Sequence, residues 1–126
     1  MSLKSALGRA RGLGSAKEGA GHFWAQRVTA IALIPLALWF VIAIIGLSHA
    51  DYATFKGWMG KPGNATLMLL TVLSATYHAQ LGLQVVIEDY VHCECRKFAA
   101  LIAMKFATAF LAVFMTVSIL KVAIGA

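Results

Sequence analysis

His78 is the residue in this chain whose surroundings most demand a partner. It stands inside a run of 26 residues, between Lys61 and Glu88, that carries no formal charge. If that run is a helix, the imidazole lies near the middle of a bilayer, where a polar group without a hydrogen-bond or metal partner costs several kcal/mol. Two partners would satisfy it. One is a hydrogen bond to a neighbouring helix. The other is a haem iron, a common job for a histidine inside a helical bundle that has no other metal-ligand cluster. Asp89 follows eleven positions later, which at 100° per residue is three turns plus about 20°, so both side chains project along one face about 16 Å apart. Thr71, Ser74, Gly82 and Val85 fall on the same stripe. A stripe of small and polar side chains suits either close helix packing or the approach of something broad and flat, such as a porphyrin.

Asp89 and Tyr90 come at the end of the uncharged run, where a carboxylate and a phenol stand side by side at the membrane boundary. Reducing a quinone adds two electrons and two protons, so a site for it needs a donor at the carbonyl oxygen and a route for protons from water. Tyr90 suits the first role and Asp89 the second. The plainer alternative makes Tyr90 a belt aromatic and Asp89 a helix cap. Arg27 has a similar ambiguity: it is a topogenic charge or a two-pronged partner for the carboxylates of a cofactor such as haem. His92, Cys93 and Cys95 do not make a zinc site, because no second ligand pair exists in the chain. Covalent haem attachment through Cys-x-x-Cys-His is absent too, so any haem here is a non-covalent b type. The two cysteines are expected as free thiols on the reducing side.

The elements that must position these residues are legible in the hydropathy. Of the 126 residues 60% are hydrophobic and 13% charged, about half the charge of a soluble domain. The apolar residues form long blocks at roughly 28–47, 65–87 and 99–124, each long enough for a helix to cross a hydrocarbon core. Lys105 and Lys121 lie near the ends of the third, where their ammonium groups can reach the interface. The expected fold is therefore all-α, an integral membrane protein of three transmembrane helices, with a basic Gly-rich tail at 1–26 and an anchor domain at 27–126. Pro35 is expected to kink the first helix. The loop from 48 to 64, with Tyr52, Phe55 and Trp58, reads as an interfacial segment with a short helical turn.

The net charge of +6 belongs to topology. The basic residues flank the apolar blocks without forming a contiguous cationic face, which argues against nucleic acid. Lys4, Arg9, Arg11, Lys17, Arg27, Arg96 and Lys97 lie on one side, against Lys56, Lys61 and Lys121 on the other. The positive-inside rule then puts the N-terminus inside and the C-terminus outside. No cleavable secretory signal is evident, and the first 26 residues read as a cytoplasmic tail in preference to a mitochondrial transit peptide.

The segment His78-Ala-Gln-Leu-Gly-Leu-Gln-Val-Val-Ile-Glu-Asp89-Tyr90 resembles the second helix of the small membrane-anchor subunits of succinate dehydrogenase, respiratory complex II. Trp24-Ala-Gln-Arg27-Val-Thr-Ala-Ile-Ala-Leu resembles the opening of their first helix. The resemblance implies that His78 supplies one axial ligand to haem b, the other coming from a larger cytochrome b anchor subunit. It implies that Arg27 lies near the haem propionates, that Tyr90 hydrogen-bonds the ubiquinone carbonyl, and that Asp89 shapes or protonates that site. A flavoprotein subunit would oxidise succinate and an iron–sulfur subunit would pass electrons on, so no activity is expected of the isolated chain. The expected location is the bacterial inner membrane, or alternatively the mitochondrial one. The His92-Cys93-Glu94-Cys95 segment lies outside the motif and has no assigned role. Two other readings compete: an anchor of a fumarate-reductase-type menaquinone complex, and a haem-free transport or proton-conducting subunit using His78 and Lys105.

Overall fold

The computed structural model describes residues 6–10 and 18–125, so residues 1–5 and 11–17 of the Gly-rich tail lie outside the described residues. Among the described residues five helices follow in order: α1 Ala6–Ala10, α2 Glu18–Leu47, α3 Tyr52–Met59, α4 Pro62–Tyr90 and α5 Glu94–Ile124. Three of them, α2, α4 and α5, are long and apolar enough to cross a membrane. Their spans of 29, 29 and 31 residues exceed the roughly 20 that a hydrocarbon core requires. The excess reaches into the headgroups or is taken up by tilt.

All three helices overrun their apolar blocks. α2 starts at Glu18 instead of Val28, so His22, Gln26 and Arg27 are helical residues with fixed directions. Gly19 and Gly21 are tolerated there, with open space where a Cβ would stand. The helix also runs on through Pro35. That residue denies Ile31 its usual N–H donor, yet the helix is not ended by it.

Local signals set the joints. Asp51 caps α3 by accepting from the Thr54 N–H at 2.9 Å, and Thr54 holds its carboxyl below the usual 3.8. Charged carboxylates are favoured at a helix start by both the cap bond and the helix dipole. Lys61 is extended and Pro62 opens α4, using a fixed φ and a missing N–H where neither costs anything. Gly125 ends α5 at φ 81, a left-handed turn that favours glycine.

α4 is the central helix. It packs along α2 on one side and α5 on the other, and α3 lies against α4 and α5. The buried core is small: Met59, Leu81, Val72 and Met104 are its hydrophobic members. Meanwhile Ile31, Ile34, Leu38, Ile42 and Ile45 of α2, and Phe106, Phe110 and Phe114 of α5, are exposed. In water such rows would drive aggregation; against lipid tails they cost nothing. Five hydroxyls within the spans are satisfied inside their own helices. Thr66, Thr71, Thr76, Thr116 and Ser118 each donate to the carbonyl four residues back, so the helices carry them through hydrocarbon without loose donors.

Candidate functional site

His78 sits near the middle of α4 and is half-buried. Its Nδ1 lies 2.9 Å from the Thr29 Oγ1 of α2. Thr29 is fixed in turn, with its hydroxyl 2.7 Å from the Ala25 carbonyl. The imidazole therefore has the interhelical hydrogen bond that its position requires, but only through one nitrogen. Among the described residues nothing hydrogen-bonds Nε2.

α4 is helical through Tyr90, so Asp89 keeps the register that puts it on the His78 face. The small-residue stripe is not an open face, however. α2 crosses it at Thr29 and leaves separate hollows. Thr71 lines an apolar one of about 840 Å³ with Phe40, Met59 and Phe114. Gly82 and Val85 line another of about 520 Å³, together with Gly19, His22, Phe23, Gln26 and Arg27. The small side chains thus serve helix packing in the middle and line space at either end.

The second hollow is the polar one. Arg27 is exposed, with its guanidinium carbon 5.1 Å from the centre of the Phe23 ring one turn back, a cation–π contact that steadies the long side chain. Beside it, His22 Nε2 and Gln26 Oε1 are buried with no hydrogen-bond partner among the described residues. Two such orphans in one hollow are costly unless a ligand or partner satisfies them. The sequence alone gives no reason to separate His22 and Gln26 from the other residues before the first apolar block. Only the α2 register, which puts them beside Arg27 and Gly82, singles them out, and Thr29 was likewise invisible without the packing of α2 on α4.

Asp89 and Tyr90 lie at the same end of the bundle as Arg27, since α2 starts and α4 finishes there. Both are exposed, and Tyr90 is 77% accessible. Tyr90 shares a hollow of about 570 Å³ with Val91, His92, Cys93, Arg96 and Ala100. The connection between α4 and α5 thus brings Tyr90 to one hollow with His92, which the sequence left without a role, and Arg96, which it read as a topogenic charge. Cys93 takes the capping position of α5, and both it and Cys95 are free and exposed.

These features define a class: a helical membrane protein with three spans among its described residues, an imidazole midway along the central one and a polar hollow at one end. The chain belongs to the succinate dehydrogenase/fumarate reductase transmembrane subunit family, whose model matches residues 1–119. It is 35% identical over 103 residues to a protein named succinate dehydrogenase hydrophobic membrane anchor subunit in Rickettsia bellii, covering 82% of each chain. It is 36% identical over 106 residues to the protein of that name in Paracoccus denitrificans, covering 82% of this chain and 80% of that one. It is a multi-pass protein of the bacterial inner membrane.

Proposed function

We propose that this chain is the hydrophobic membrane anchor of a succinate:ubiquinone oxidoreductase, tethering flavoprotein and iron–sulfur subunits to the cytoplasmic face with its N-terminus inside. The observation that carries the proposal is the His78 ring, held by Thr29 at Nδ1 and without a hydrogen bond at Nε2 among the described residues. The threonine hydroxyl spends its hydrogen on the Ala25 carbonyl, so Nδ1 bears the ring proton and Nε2 bears a lone pair. That is the donor a haem iron takes.

The residues present fit a b-type haem. His78 would supply one ligand to its iron, with another from a larger cytochrome b anchor subunit. Arg27 would bind a propionate, and the orphaned His22 and Gln26 atoms beside it favour an occupant with polar, carboxylate-like ends; rotating the Gln26 amide presents its NH₂ group in place of the oxygen. When bound, haem supplies a one-electron reservoir within the membrane.

Quinone chemistry falls to the exposed pair at the end of α4. The Tyr90 phenol donates to a carbonyl oxygen of ubiquinone, stabilising the charge that builds there on reduction. Asp89 lies next to it in the chain and faces water, so it can pass protons toward the reduced oxygen. The relatives named succinate dehydrogenase support succinate oxidation over a fumarate-reducing direction.

The test is a reduced-minus-oxidised spectrum of the purified complex. Wild type shows a low-spin b-haem and His78→Ala does not. An unchanged haem spectrum in that variant would remove His78 as a ligand, and a haem-free wild-type complex would favour the transport reading.

A further inference from the structure

Thr29 is the buried polar residue among the described residues, at 9% exposure, and its surroundings leave it one arrangement. Oγ1 lies 2.7 Å from the Ala25 carbonyl oxygen and 3.1 Å from that of Gln26. Both are acceptors, and a hydroxyl has one hydrogen. Turning that hydrogen toward His78 would leave two oxygens 2.7 Å apart with nothing between them. The hydrogen therefore points back into α2, and the lone pairs of Oγ1 face the ring nitrogen 2.9 Å away.

We infer that Thr29 is a positioning residue for a metal-ligating His78: it accepts the Nδ1 proton, fixes the ring's tautomer and rotation, and strengthens Nε2 as a donor to iron. The inference rests on the reading of His78 as an axial ligand. A ligating histidine whose other N–H is hydrogen-bonded gains basicity and holds its orientation. Stronger donation favours ferric over ferrous iron, so the Thr29 hydroxyl lowers the haem midpoint potential. Thr29 comes from α2 and His78 from α4, so the packing of these two helices becomes part of the redox tuning.

Thr29→Val keeps the β-branched shape and removes the acceptor, whereas Thr29→Ser keeps the hydroxyl and removes a methyl group. Both are to be measured in the full complex by redox titration and by the electron paramagnetic resonance of the ferric haem. The midpoint potential is expected to rise and the low-spin signal to move in Thr29→Val, with Thr29→Ser remaining close to wild type in both. Loss of haem from the valine variant alone would also support the role of the hydroxyl. Equal shifts in the two variants, equal loss of haem from both, or no shift in either would overturn the inference. Failure of the ligand reading itself would look different, as full haem retention in His78→Ala.

Discussion

Thr108 Oγ1 lies 3.1 Å from the Gln80 side-chain amide and spends its one hydrogen on the Met104 carbonyl 2.9 Å away, so the amide, turned to present its NH₂ group, donates to it and joins α4 to α5, two residues along α4 from the point where Thr29 joins α2 to it. Residues 78 and 80 are about 200° apart around a helix, so the two threonines hold the central helix from nearly opposite sides. One bond serves packing alone. The other also orients the candidate ligand.

That division predicts the behaviour of Thr108→Val. The variant leaves the Gln80 amide short of a partner at membrane depth, a loss of about 0.6 and at most about 1.7 kcal/mol for a bond of this kind. A lowered denaturation midpoint on titrating the purified complex with sodium dodecyl sulfate is the expected result. The haem spectrum and potential should stay at wild-type values, because His78 faces the other way. A moved potential would show that α5 also controls the ring.

The α3 cap gives a pH dependence with a definite sign. Thr54 lowers the Asp51 carboxyl below 3.8, so the folded form binds its proton more weakly than the unfolded one. The cap's contribution is complete above the unfolded value and is lost as pH falls through the lower, folded one. Trp58 of α3 stacks on Trp39 of α2 at 5.8 Å between ring centres, so tryptophan fluorescence reports the position of α3. A change is expected below about pH 3.8 in wild type and should be absent in Asp51→Asn, which still caps but does not titrate.

The three spans were readable because uncharged length is a one-dimensional property, and so was the shared face of His78 and Asp89, because helical register is arithmetic. The start of α2 was not. The ten residues before Val28 contain Gly19 and Gly21, which weigh against a helix by propensity, but the packing of α2 along α4 supports one. Thr29 was hidden for the same reason. A threonine in an apolar run looks like filler until a second helix brings an imidazole within 2.9 Å of it. The grouping of Tyr90 with His92 and Arg96 depends on a tight connection whose course periodicity does not specify.

Arg27 can be divided between its two readings by one substitution. Lysine preserves the positive charge that topology needs but lacks the planar fork that grips a carboxylate with two parallel bonds. Charge-assisted hydrogen bonds contribute about 1.5–3 kcal/mol each. If Arg27 holds a propionate, Arg27→Lys should insert normally and yet lose haem more readily, measured as haem per complex after detergent washing. Haem content equal to wild type would reduce Arg27 to a topogenic charge.

Tyr90 offers the cleanest separation of quinone chemistry from everything upstream of it. Its side chain is 77% exposed and no hydrogen bond ties its hydroxyl to another described residue, so Tyr90→Phe removes a phenol without disturbing packing. If that phenol donates to the quinone carbonyl, one hydrogen bond is lost. At about 0.5–1.5 kcal/mol this slows quinone reduction roughly 2- to 12-fold. Succinate oxidation measured with an artificial dye that accepts electrons before the membrane should be unchanged, as should the haem spectrum, because His78 lies about 18 Å away along the helix axis. Equal loss in both assays would place the defect in assembly, and equal retention in both would leave Tyr90 as an interfacial aromatic only.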